Sequence, residues 1–147
     1  MTVLKERFRF FHRLKVRYSE IDGQKIVFNA HYLTYLDVAN GEYFQEGLGV
    51  DLQTIATEGT FDFVLAKSTL EYKSSARLGD WLEIGCRVSR MGISSFTMEF
   101  LITRVGEDTP IVVAEIIYVN YDPEKHRSQQ IPEYIRNRIR EFEGLQE

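Results

Sequence analysis

The chain has 147 residues, 44% of them hydrophobic and 27% charged, with a net charge of −4 at pH 7. That length suits one domain with a real core, and the composition is that of an ordinary globular protein. The acidic total argues against a general nucleic-acid binder, although residues 1–25 carry seven Lys or Arg against three acids. Cys86 is the only cysteine, which excludes an intrachain disulfide, and its place in a hydrophobic alternation makes it a small core residue. No stretch reaches membrane-spanning length and residues 1–18 hold no uninterrupted apolar run, so the expected location is the cytoplasm.

Residues 8–18 alternate, which predicts a half-buried first strand. Phe8, Phe10, His12, Leu14, Val16 and Tyr18 take its core face; Arg9, Phe11, Arg13, Lys15 and Arg17 take the wet one. A helix follows over residues 29–47, with Tyr32, Tyr35, Leu36, Ala39 and Tyr43 on one stripe. Leu33, Val38 and Phe44 widen its apolar arc beyond that of a surface helix, so it should be wrapped by other structure. Asp51 can N-cap a short helical turn reaching Glu58. Four strand-like runs come next, over 61–73, 81–90, 94–105 and 111–121, joined by short turn-like links. Short links make consecutive strands antiparallel neighbours, here a four-stranded meander. Pro132 opens a closing helix with Ile135, Ile139 and Phe142 on one face, and Trp81 reads as core. The expectation is a single α+β domain over residues 1–147, a five-stranded antiparallel sheet wrapped around a long central helix. Such an open sheet leaves an edge strand that needs a partner or a cover.

The chemistry is concentrated in Tyr18-Ser-Glu-Ile-Asp22-Gly-Gln-Lys-Ile-Val-Phe-Asn29-Ala-His-Tyr32. It sets a lone carboxylate, Asp22, in a turn just before the helix, whose first N–H groups are unpaired and carry the positive end of the dipole. An anionic nucleophile or base beside a ready-made oxyanion site is equipment for acyl transfer. The plainer reading of Asp22 is a turn former in an Asp-Gly pair. No Gly-x-Ser-x-Gly elbow, Gly-x-Gly-x-x-Gly, P-loop or His-Glu-x-x-His is present. His12 and His126 have no ligand spacing to Cys86 or to paired acids, so no metal is implied.

This segment resembles the active-site signature of the 4-hydroxybenzoyl-CoA thioesterase family of hotdog-fold hydrolases, written Tyr-x-Asp-Thr-Asp-x-x-Gly-hydrophobic-Val-Tyr/Phe. Tyr18, Asp22, Val27, Phe28 and Tyr32 fall at matching positions, and the resemblance spans roughly residues 10–135. It implies an acyl-CoA thioesterase with Asp22 as catalytic acid and the backbone of Asn29 as oxyanion donor. Gln24, Phe28, Ala30, Ser68 and Thr69 are the implied substrate contacts. CoA belongs to the substrate, so no separate cofactor is expected. The implied partners are a small-molecule acyl-CoA and a second copy of the chain, as homodimer or homotetramer with sites at the interface; no nucleic acid and no membrane.

The thiolate of CoA is a good leaving group, its reference pKa being about 8.5, so one carboxylate suffices without a strong general acid. Asp22 can attack the carbonyl or deprotonate water, and both routes stay open. Three departures from the pattern stand out. Lys25 replaces the usual Gly, which allows a differently turned loop or a Lys25–Asp22 pair; Ile21 replaces Thr; and Asn29 stands where many relatives carry His, as an N-cap or a water-orienting amide. Lys25 also keeps alive a non-catalytic reading, an acyl-CoA-binding sensor or scaffold. A hotdog dehydratase is disfavoured because Val27 stands where one common version places His. Arg9, Arg13, Lys15, Arg17, Lys67 and Lys73 are candidates to meet CoA phosphates, with Phe28, Tyr32 and Phe63 as candidate walls of an acyl pocket.

Overall fold

A computed structural model describes residues 2–145. Strands β1 (Phe10–Lys15), β2 (Phe63–Tyr72), β3 (Trp81–Met91), β4 (Ser95–Arg104) and β5 (Pro110–Asp122) form one antiparallel sheet in the order β1-β3-β4-β5-β2, and a two-residue β6 (Arg127–Ser128) pairs with β5. Helix α1 (Asn29–Glu42) continues through a π-type turn (Tyr43–Gly47) and lies in the concave face, with the short α2 (Leu52–Glu58) and the closing α3 (Glu133–Glu143) beside it. Asp51 caps α2 as expected, accepting the Thr54 N–H at 3.3 Å. Pro132 is the residue before α3 rather than its first. None of these helices is long and apolar enough to cross a membrane.

The helical stripe and the strand alternations meet in one core. Leu36, Ala39, Tyr43 and Phe44 of α1 and its π-turn are fully buried against Leu82, Ile84, Cys86 and Val88 of β3 and their counterparts on β4 and β5. Phe44 sits 5.4–5.6 Å, centroid to centroid, from Phe61, Phe63 and Phe96, which explains the widened apolar arc. Each such ring removed from water contributes about 1.5–3 kcal/mol. Burial also pushes the Cys86 thiol up, keeping it a neutral core group.

Four features depart from the sequence reading. β2 is not the neighbour of β3: it pairs with β5, so the meander is β3-β4-β5 and residues 73–80 cross the sheet from the β2 edge to β3, beside β1. Alternation specifies which face a residue takes but not which strand lies beside it. A bend at Arg9 breaks the first strand, and Phe8 crosses to the outer face with Phe11, Leu101 and Val113. There its ring lies so close over Gly85 that a Cβ would come within 2.8 Å of it, a contact only glycine allows. Tyr18 begins a 3₁₀ turn (Tyr18–Glu20) and is 80% exposed. Trp81, paired with Lys15 at the first position of β3, is 54% exposed rather than core.

Candidate active site

After β1 the chain is held by Val16, which exchanges hydrogen bonds with Gly79 and Asp80 of the crossover, and then folds into a small hairpin. Its arms are Glu20 to Asp22 and Ile26 to Phe28. The Phe28 N–H donates to the Glu20 carbonyl at 3.0 Å, the Asp22 N–H donates to the Ile26 carbonyl at 2.9 Å, and Ile21 bridges Val27. The Lys25 N–H closes the turn on the Asp22 carbonyl at 2.9 Å. Lys25 has φ +64°, the left-handed conformation required of the last residue in a three-residue hairpin loop. That is the conformation glycine adopts freely, which accounts for the Gly of the pattern at this position. It forms no ion pair with Asp22 among the described residues.

Asp22 Oδ1 accepts the Gln24 N–H at 2.8 Å, an Asx turn that fixes the carboxylate, while Oδ2 has no protein partner among the described residues. The side chain is half-buried and lines a cavity of about 410 Å³ with Tyr18, Ile21, Gly23 and Lys25.

The second arm runs straight into α1. The cap is Phe28, φ −65° and ψ 136°, and not Asn29, because Phe28 is the last extended residue and Asn29 is already helical. Phe28 has no side-chain acceptor to cap the first turn, and its carbonyl takes the His31 N–H at 2.9 Å. Among the described residues the N–H groups of Asn29 and Ala30 have no acceptor, and both residues are exposed. Two free donors at the positive end of a helix that continues past three turns make an anion site. They lie three residues along the arm from Ile26, the partner of Asp22, and do not line the Asp22 cavity itself.

Everything beneath these groups is tied down. Tyr32 is buried and its hydroxyl oxygen accepts the Ala76 N–H at 3.0 Å, while the Ala76 carbonyl accepts the Val27 N–H at 2.9 Å. Asp80 holds the crossover through the Arg77 N–H and Arg104 Nε, at 2.9 and 2.8 Å. Glu20 is buried and bonded to Arg17 and to the Tyr35 hydroxyl. Glu20 was not singled out in the sequence; its signal was the first acid of the Tyr-x-Asp-Thr-Asp pattern, at which it stands, three residues after a basic partner.

The remaining candidates are placed as follows. Phe28 is 51% exposed with its ring 6.0 Å from His31, and Gln24 contributes its backbone to Asp22. Tyr32 and Phe63 sit in the core packing, with Tyr32 against Tyr35 and Tyr72, and Phe63 among the rings around Phe44. On β2, Ser68 pairs with the buried Ile116 and so faces the helix side, while Thr69 pairs with exposed Glu115 and faces the opposite side. Neither lines the Asp22 cavity. Of the six proposed phosphate cations, Arg13 pairs with Glu83, Arg17 with Glu20 and Lys73 with Glu71, and Arg9 donates to the Phe142 carbonyl. Lys15 and Lys67 hold no ion pair among the described residues.

Residues 16–139 match the family model of the thioesterase-like superfamily, and the chain belongs to it. Its fold is the hotdog fold. The chain is 30% identical over 122 residues to the acyl-CoA thioester hydrolase YbgC of Escherichia coli, covering 83% of this chain and 89% of that one. It is also 30% identical over 134 residues to the chloroplastic acyl-acyl carrier protein thioesterase ATL3 of Arabidopsis thaliana, covering 90% and 69%. Among solved structures, a Thermus thermophilus thioesterase complexed with coenzyme A and zinc superposes with a TM-score of 0.80 at 31% identity, covering 97% and 99%. Among the described residues of the present chain, no three His, Cys, Asp or Glu side chains converge as a zinc site would require.

Proposed function

We propose that this thioester hydrolase acts on acyl-CoA, with Asp22 as nucleophile or general base and the first turn of α1 as the oxyanion site. The observation that carries the reading is the pair of free N–H groups on Asn29 and Ala30, at the end of the same hairpin arm that faces Asp22. The substrate carbonyl oxygen takes these donors as the carbonyl carbon is attacked; losing one such donor typically removes about 3–4 kcal/mol of transition-state stabilisation. Attack by Asp22 gives a mixed anhydride and expels CoA thiolate, and water then releases the free acid. Alternatively Asp22 takes a proton from water, whose hydroxide attacks and expels the same thiolate. On this second route the amide of Asn29, an exposed residue at the donors, orients that water. The relatives' names, one a CoA thioester hydrolase and one an acyl-carrier-protein thioesterase, support the thioester and leave its carrier to experiment.

We also propose that the working unit is a homodimer joined along the free edge of β2. That edge exposes Val64, Leu65 and Tyr72 and is otherwise an uncovered row of backbone groups. In such a dimer Ser68, on the helix side of β2, approaches the partner's substrate. Light scattering should give twice the chain mass; a fully active monomer would contradict the arrangement.

The test is thiol release, followed with a thiol-reactive dye, from a panel of short, long and aryl acyl-CoA thioesters that includes 4-hydroxybenzoyl-CoA, with a matched carrier-protein thioester alongside. Asp22→Asn should lower kcat by at least about 100-fold on the best substrate, the lower range for a positioned base. Wild-type turnover in that variant would refute the role of Asp22. Tight acyl-CoA binding with no turnover across the panel would favour the sensor or scaffold reading instead.

A further inference from the structure

One acid on the hairpin takes no part in the chemistry above, yet it is the most heavily bonded side chain there. Glu20 is 5% exposed, unusual for a carboxylate, and precedes Asp22 by two residues on the same arm. Its Oε1 accepts the Arg17 N–H and the Tyr35 hydroxyl, both at 2.8 Å. Its Oε2 accepts Arg17 Nε at 3.1 Å and Nη2 at 2.6 Å. Its carbonyl accepts the Phe28 N–H, at the residue that caps α1. One residue therefore joins the 3₁₀ turn, both hairpin arms and the second turn of α1. Burial opposes its charge, and the bonds from Arg17 and Tyr35 outweigh burial and hold the carboxyl below the usual carboxylate range. A cavity of about 390 Å³ opens beside the cluster, with Arg17, Glu20 and Tyr35 in its wall. On that side hydrogen bonds, not close packing, set the angle of the hairpin.

We propose that Glu20 is a positioning residue for the hydrolysis: by bridging Arg17 and Tyr35 it fixes the hairpin against α1, and so aligns the Asp22 carboxylate with the free N–H groups of Asn29 and Ala30. Glu20 and Asp22 stand two residues apart on one hairpin arm, whose backbone pairs with Phe28 and Ile26, so a tilt that frees the first moves the second. Glu20 acts through Asp22 and touches no substrate. The proposal rests on Asp22 being the reacting group.

The experiment compares Glu20→Gln, Tyr35→Phe, Asp22→Asn and the double variant Asp22→Asn/Glu20→Gln in the full chain, on the best acyl-CoA substrate, with near-ultraviolet circular dichroism to confirm the fold. Glu20→Gln and Tyr35→Phe should each lower kcat roughly 10- to 100-fold, the scale set by misplacing a reacting group by about 1 Å. Their KM should stay within about twofold, because substrate binding is not what they disturb. The double variant should be no slower than Asp22→Asn alone, a non-additivity that a purely structural role would not produce. Should Glu20→Gln fail to fold, Tyr35→Phe decides, since it deletes one hydroxyl and keeps the ring. Folded variants with kcat within about twofold of wild type overturn the proposal. So does a double variant slowed by the product of the two single losses. Undiminished turnover in Asp22→Asn would refute the reading of Asp22 instead, leaving the two failures distinguishable.

Discussion

Lys25→Gly should stabilise the protein and leave its chemistry intact. Lys25 holds φ +64°, where an L-residue with a Cβ is disfavoured by roughly 1–2 kcal/mol. Glycine there relieves that strain but loses more chain entropy on folding, about 0.5–1 kcal/mol. Nothing else is removed: the lysine is exposed and without an ion pair among the described residues, and the two turn bonds use only backbone atoms. The difference is a net gain of about 0.5–1 kcal/mol, which in a chain of this size raises Tm by roughly 1–4 °C. The assay is thermal unfolding at matched protein concentration, with acyl-CoA turnover measured on the same samples. A Tm below wild type would show that Lys25 makes a stabilising contact outweighing its backbone strain. A large loss of kcat with Tm raised would show that the cation, and not merely the turn, serves the reaction.

Two further substitutions probe the supports of the site. Tyr32→Phe keeps the ring contacts with Tyr35 and Tyr72 but strands the buried Ala76 N–H, which should remove about 2 kcal/mol and lower Tm by roughly 4–8 °C in thermal unfolding; an unchanged Tm would show that the crossover does not depend on this bond. Glu143 is half-buried at the C-terminal end of α3, where burial pushes its carboxyl above the ordinary value against the opposing pull of the Tyr43 hydroxyl at 2.5 Å and the Val88 N–H at 3.0 Å. With the folded pKa raised, the stability this group contributes is complete below its unfolded pKa and is lost as pH rises through the folded one. Glu143→Gln should therefore match or exceed wild-type Tm at pH 8 and lose that advantage near pH 4; a variant less stable at both ends would contradict the sign.

The parts of the fold that were legible in sequence are those that depend on a residue's face. Leu82, Ile84, Cys86 and Val88 alternate and are buried together, and Tyr32, Tyr35, Leu36, Ala39 and Tyr43 fall on one helical stripe and are buried together. What depends on a neighbour was hidden. Nothing in the run 61–73 says that its hydrogen bonds go to β5, because that choice is made by the long crossover and the curl of the sheet. Phe8 and Trp81 illustrate the same limit at strand ends, where a bend or a terminal position overrides the alternation. The turn at Asp22 and the start of the helix were legible because both features are local: an acid in a turn, then a helix. Glu20 was not, since its importance comes from Tyr35, fifteen residues away on another element. Ser68 and Thr69 were coupled by adjacency, yet a strand sends adjacent residues to opposite faces.

The distribution of satisfied and unsatisfied groups is itself an argument about where the reaction happens. Around the start of α1 the protein is unusually thorough. Tyr32 serves Ala76, Ala76 serves Val27, Glu20 serves Phe28, Arg17 and Tyr35, and Asp80 serves Arg77 and Arg104. Beside that network, Oδ2 of Asp22 and the N–H groups of Asn29 and Ala30 have no partner among the described residues. A capping Ser or Asp at position 28 would stabilise α1 by about 1 kcal/mol, and the chain instead carries a phenylalanine there. The oxygen of such a cap would take the N–H of Ala30 or His31, and so could close one of the two donors that the proposed oxyanion site uses. On the proposed reading, the missing cap is a small loss of stability located where a transition state would recover it, which is how a preorganised site differs from a well-finished helix end.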